Sequence, residues 1–252
     1  AAFDANSGRV SFITAADVDV SFTPGSPLTY VVNAGTTVAQ GQTIAGAVEG
    51  AGIDFAMFTA AGVVDAVLQV DATVTANAAV ATDNGVRLFA EGAGGGTVTV
   101  EFNETVNSAG AVNLDTDGNF TAAAPIAGSS IGLSAGGAAT FDDLTATAGG
   151  IDIAANSINT GTLLATGGDV VLGAAGAITT TGITAAAAAG VGGAIGITST
   201  VNGALNLGAL MAATQIGLDT AGTITTGAIS AGGALTLGGF GNPDDVTFNG
   251  NA

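Results

Sequence analysis

The chain has 252 residues, of which 48% are hydrophobic, and a mean hydropathy of +0.59, which excludes a disordered polar tail despite 42 glycines. Twenty Asp and Glu stand against two cationic side chains, Arg9 and Arg87, with no His, and the formal net charge is −18. That balance excludes a conventional nucleic-acid surface and argues against docking on anionic lipid, because both need Lys and Arg; the absence of cysteine excludes disulfide and thiol chemistry.

The opening residues, AAFDANSGRVSF, carry neither a basic stretch nor an apolar core of the signal-peptide kind, so Ala1 is expected to be a mature terminus or the start of a fragment. Residues 1–106 are strand-rich and poorly periodic. Alternating apolar runs occur at Val10/Phe12, Val18/Val20/Phe22, Leu28/Tyr30, Ile53/Phe55, Leu68/Val70, Val86/Leu88 and Val98/Val100/Phe102. Turn residues separate them at Pro24-Gly25, Asn33 to Gly35, Asn84-Gly85 and Gly92 to Gly96. Two spacings, Val10 to Leu28 and Leu68 to Val86, match a coil of about 18 residues and others do not. This section is expected to be irregular coils of a solenoid or a small β domain capping one. Tyr30 and most of the Phe residues lie here, the bulk that covering an open sheet end requires.

From residue 107 a repeat takes over. Apolar pairs recur at Val112/Leu114, Ile131/Leu133, Ile151/Ile153, Val170/Leu172, Ile195/Ile197, Ile216/Leu218 and Leu235/Leu237, mostly about 19–20 residues apart. A second apolar site follows at Phe120, Phe141, Ile158, Ile178 and Ile224, and a third at Ile126, Leu144, Leu163, Ile183 and Ile229. Three short strands per unit, separated by Gly, Ala, Asn and Asp, describe one coil of a three-sided parallel β-helix. No single coil can bury its apolar face alone, so stacking must supply both the core and the backbone partners. The predicted division is an irregular section over 1–106 and regular repeats with a C-terminal strand over 107–252. Ala185 to Gly192 lengthens one coil and is expected to form a surface loop, and the apolar stretch Ile183 to Ile197 is too short and glycine-rich to span a bilayer.

The unit G-[AVIL]-x-[LI]-x-A-x-G-x-[IF]-T-T-x-x-I-x-A-x-G, over roughly residues 110–240, resembles the repeats of filamentous haemagglutinin-type exoproteins of the two-partner-secretion kind. The resemblance implies a right-handed β-helix belonging to a bacterial surface or secreted adhesin. It also implies that the repeats are scaffold with no catalytic motif. The secretion domain of that family is not recognisable here.

Candidate sites are few. Asp115, Asp117 and Asn119 place oxygen ligands at alternating positions around Gly118, as a calcium loop does, but no bidentate Glu closes the set. The competing reading is a solvated acidic corner, and Asp142-Asp143, Asp244-Asp245 and Asp17/Asp19 read as surface carboxylates. Without His, Lys or Trp beside paired carboxylates, no enzymatic site is expected. Thr179 to Thr181 and Thr225-Thr226 suggest an ice-binding array, which Asn159 and Asp142 interrupt. Gly190 to Gly196 misses the dinucleotide fingerprint, and Asn103 and Asn119 head glycosylation sequons by pattern alone.

The resulting expectation is an extracellular or cell-surface structural protein, an adhesin stalk or filament subunit that associates head to tail. The alternatives are a passive repeat segment of a larger adhesin and a glycan-binding solenoid. Glycan or cell-surface contact is the expected external interaction, without nucleic acid or membrane insertion, and calcium is the one cofactor considered.

Overall fold

In the computed structural model the chain is a parallel β-helix of three-sided coils. The structure describes residues 2–4, 8–21, 29–35, 42–61, 63, 66–77, 85–188, 190, 192–238 and 245–249. Ala1, Phe22, Pro24-Gly25, Leu28, Asn84 and Asp244, named above from the sequence, lie outside them.

One regular coil shows how the sequence builds the fold. Val112–Thr116 lies on a first face, Phe120–Ala122 on a second and Ile126–Gly128 on a third. Alternate residues turn inward, so Val112, Leu114, Phe120 and Ile126 are buried while Asn113 and Asp115 face water. The next coil repeats this in register: Val112 and Leu114 pair with Ile131 and Leu133, and those with Ile151 and Ile153. The ladder continues without a slip through Val170/Leu172, Ile195/Ile197 and Ile216/Leu218 to Leu235/Leu237. Every apolar pair of the sequence repeat therefore stacks on the first face.

That face is a ten-stranded parallel sheet. The other two faces join into one fifteen-stranded sheet, because Ala66–Ala76, Ser157–Ala165, Ile178–Ala185 and Leu205–Ala212 each bend round the corner between them as single strands. Gly208 sits at that corner, where a Cβ would run into the Thr181 carbonyl oxygen of the coil beside it. Only glycine lets the two backbones come that close.

The same ladders extend into the irregular section. Arg9–Thr14 pairs in parallel with Gly52–Thr59, which pairs with Val86–Gly92, which pairs with Val112–Thr116. Val10, Ile53, Val86 and Val112 occupy this ladder 43, 33 and 26 residues apart in turn, so the coils here are long and shorten toward the regular repeats. Part of the extra length in the first coil is an antiparallel hairpin, Asp17–Ser21 with Thr29–Ala34, which pairs with neither large sheet. The two 18-residue spacings are thus not coil lengths. Leu68 stacks against Val100 on the second face while Val86 stacks against Ile53 on the first, and the strand after Leu28 belongs to the hairpin.

The core is a thin column. An aromatic spine starts with Phe12 stacked on Phe55, ring centroids 5.6 Å apart, and passes edge-to-face to Phe102 across the interior. It continues through Phe120 to Phe141 at 5.8 and 5.2 Å. Phe120 and Phe141 are not equivalent positions, as the sequence repeat suggested: Phe120 stacks on Ala139, and Phe141 on Ala122. Each ring therefore fills the space left by an alanine in the adjoining coil, which keeps the column close-packed. Beyond Phe141 the spine gives way to Ile158, Ile178, Leu205 and Ile224, all buried.

Buried hydroxyls close the first corner. Thr116, Ser199 and Thr220 turn inward at strand ends, each donating to a carbonyl of an earlier coil, Val98, Gly176 and Gly203 respectively. Each also accepts from a turn amide just downstream, Gly118, Gly203 and Gly222. The loop after Ala185 leaves the ladder through Gly190, Gly192 and Gly193, all at positive φ, and rejoins it at Ile195. At the other end Val246–Phe248 stacks on Ile224–Thr226. Leu235 and Leu237 hold their places in the ladder yet remain 41% and 37% exposed, and Ile229 is only partly buried.

Candidate functional site

Turn residues of this chain act chiefly on neighbouring coils. Asp117 accepts main-chain N–H groups from Gly92 at 2.6 Å and from Val98 at 2.7 Å, one on each carboxylate oxygen. Asn119 faces the opposite way and accepts from the amide of Ala138 at 2.9 Å. Asp143 does the same for Thr162 at 2.7 Å, and Asp169 for Ala194 at 2.9 Å. These side chains replace ladder hydrogen bonds where the backbone turns and cannot pair with itself.

The candidate calcium residues are accordingly divided. Asp115 stands exposed on the first face, Asp117 reaches into the preceding coil and Asn119 into the following one. Asp115 and Asp117 do border one hollow of about 350 Å³ together with Glu91. Among the described residues, no three His, Cys, Asp or Glu side chains gather closely enough to hold a metal ion. The two sequon asparagines are likewise engaged, Asn103 donating to Asp71 at 2.7 Å and Asn119 as above. Thr180 and Thr226 turn inward, so the threonine runs form no continuous outer array.

A different cluster, absent from the sequence repeat, lies on the outer side of the first face. Asp54 is almost fully buried there, and both arginines of the chain converge on it. Arg9 donates through Nε and Nη2, Ser11 through its hydroxyl at 3.1 Å, and Arg87 through Nε at 2.8 Å. Burial alone would raise the Asp54 pKa; hydrogen bonds from Arg9 and Arg87, reinforced by their charges, outweigh it and hold the carboxyl below its ordinary 3.8. The cluster ties three consecutive coils, because Ser11, Asp54 and Arg87 are successive partners in one ladder.

This clasp forms one end of a groove of about 660 Å³ along the first face. Continuing the ladder, Arg87 is followed by Asn113, Gly132 and Asp152, and the parallel column two residues on runs Phe89, Asp115, Ser134, Ala154. Gly132 has no side chain of its own there, and the carboxamide oxygen of Asn113 lies over it. Phe89 is 36% exposed, its ring tilted against Phe58 at 5.5 Å, and is the one aromatic side chain lining the groove that points to water. The spacing of 19 residues cannot reveal this site, because Arg9, Asp54 and Arg87 lie in long coils. The signal that could have found it is compositional: two cations in an otherwise anionic chain.

No protein-family model, curated protein or solved structure matches this chain. The resemblance to haemagglutinin-type repeats therefore rests on the repeat residues alone.

Proposed function

We propose that this protein is an extracellular structural rod, an adhesin stalk or the subunit of a bacterial surface or matrix filament that associates head to tail. The observation that carries the reading is the first-face ladder, ten strands in unbroken register whose last apolar members, Leu235 and Leu237, are still open to solvent. Ten strands at the usual sheet spacing make a column about 45 Å long with a stiff hydrogen-bonded wall. Among the described residues no strand pairs with the outer edge of Leu235–Leu237; an apolar edge of that kind is a template for a further strand, and a second copy docking there leaves its own far edge open, so the contact propagates. A charge of −18 keeps such rods apart laterally and suits an exposed location.

The same edge fits another coil of the same polypeptide, which makes a passive repeat segment of a larger adhesin the second reading. Electron microscopy and sedimentation velocity over a concentration series separate the two. The filament reading expects linear fibres that Leu237→Asp abolishes while the β-sheet circular dichroism is retained. Short rods that stay monomeric at the highest concentration would reject it in favour of the passive segment.

A further inference from the structure

We propose that the groove beside the arginine clasp is a binding site for a neutral oligosaccharide, running across the coils from Phe89 to Asp152. The inference goes beyond the rod reading and does not depend on end-to-end assembly.

Three independent features converge on it. The first is Phe89. At its position in successive coils the chain carries Asp115, Ser134 and Ala154, all small or polar, so an exposed ring is out of keeping with a solvated face. A half-exposed aromatic offers the apolar C–H face of a sugar ring a stacking partner without burying its hydroxyls. The second is the set of planar polar groups on three of its four rungs: the guanidinium of Arg87 on the first, the carboxamide of Asn113 and the carboxylate of Asp115 on the second, and the carboxylate of Asp152 on the fourth. Such groups take two adjacent hydroxyls at once, one as donor or acceptor on each of two atoms. Rungs about 4.8 Å apart repeat at close to the length of one pyranose in an extended chain, so each sugar meets a new rung. The third is preorganisation. Asp54 fixes the Arg87 head by a 2.8 Å bond, Asn113 Oδ1 lies over the bare Gly132 floor, and all sit on rigid stacked strands rather than loops. Ordering costs on binding are then small.

Charge decides which glycan. Arg9 and Arg87 share the single charge of Asp54 and leave the clasp one net positive charge, which the carboxylates of Asp115 and Asp152 along the groove outweigh, so uronate or sulfate is repelled. A neutral hexose chain is the ligand this balance accepts.

The test is calorimetric titration and saturation-transfer NMR of the whole chain with cellohexaose, mannohexaose, galactohexaose and, as the anionic comparison, the hexamer of galacturonic acid. At least one neutral hexamer should bind. Phe89→Ala should weaken it about tenfold, the worth of one aromatic stacking contact. Phe89→Leu, which keeps bulk against Phe58, should weaken it similarly, whereas Met211→Ala, an exposed residue of the other large sheet, should leave it unchanged. Failure of all three neutral hexamers to bind at millimolar concentration would overturn the proposal. So would equal affinity in Phe89→Leu, or uronate binding as tight as the neutral chains.

Discussion

Arg87 reaches across one coil to donate its Nε to Asp54 at 2.8 Å, while Arg9 grips the same carboxylate from the coil on the other side. The pairing has a pH signature. The folded pKa of Asp54 lies below 3.8, so the stabilisation is fully present above that value and is lost as pH falls through the lower folded pKa. Denaturant unfolding from pH 6 down to pH 2 should show a loss of stability below about 3.8 that is smaller in Asp54→Asn, which is already less stable at neutral pH. Equal slopes for the two proteins would mean that the clasp contributes nothing.

Leu218 is fully buried between Ile197 and Leu237 in the first-face ladder. Leu218→Asp places an unpaired charge in a dry column and should cost several kcal/mol, enough to unfold the adjoining coils. Thermal melting followed by circular dichroism measures it; a parental melting temperature would show that the side chain does not point inward.

The complementary fit of Phe120 with the alanines beside it makes a volume prediction. Phe120→Ala should destabilise by about 3–5 kcal/mol, because Ala122 and Ala139 cannot move to fill the gap. Phe120→Leu should recover much of the loss. Urea titration distinguishes them, and equal midpoints would contradict close packing here.

Asp117 holds two amides that no strand reaches. Asp117→Ala leaves Gly92 and Val98 without their acceptor and should cost about 1–3 kcal/mol for each N–H that finds no other partner. With Asp117 and Asn119 turned to different coils, millimolar calcium or a chelator should leave the melting temperature of the native chain unchanged. A rise with calcium, absent in Asp115→Ala, would restore the cation reading of this corner.

The regular coils were legible in the sequence because inward positions are held to Val, Ile and Leu while the turns between them keep nearly constant length. Val112/Leu114 and its six successors needed nothing else to be placed. The long coils escaped for the converse reason. Hydrogen bonding fixes the register of Val10, Ile53 and Val86, but the loops between them vary freely at little entropic cost, so no period survives. The repeat places Phe141 in its strand but at the wrong inward position, because it resolves where a strand lies and not which of two inward positions holds the large side chain. Asp143 reads as an ordinary surface carboxylate since its partner is a backbone amide 19 residues away, which side-chain identity does not disclose; Asp169, bonded to an amide 25 residues away, gives no signal in the sequence for the same reason.

The aromatic spine has a mechanical consequence. Among the described residues it runs from Phe12 to Phe141, and the following coils are held by aliphatic side chains that thin out to the half-open Leu235 and Leu237. Each coil touches little beyond its immediate neighbours, so a steady pull or a processive protease acting from the Leu235 side removes coils one at a time. The resistance is graded along the axis: the aliphatic coils peel first, and peeling stalls where Phe141 meets Phe120. Wear along the described coils is thus directional, lower in resistance toward Leu235 and higher toward the arginine clasp.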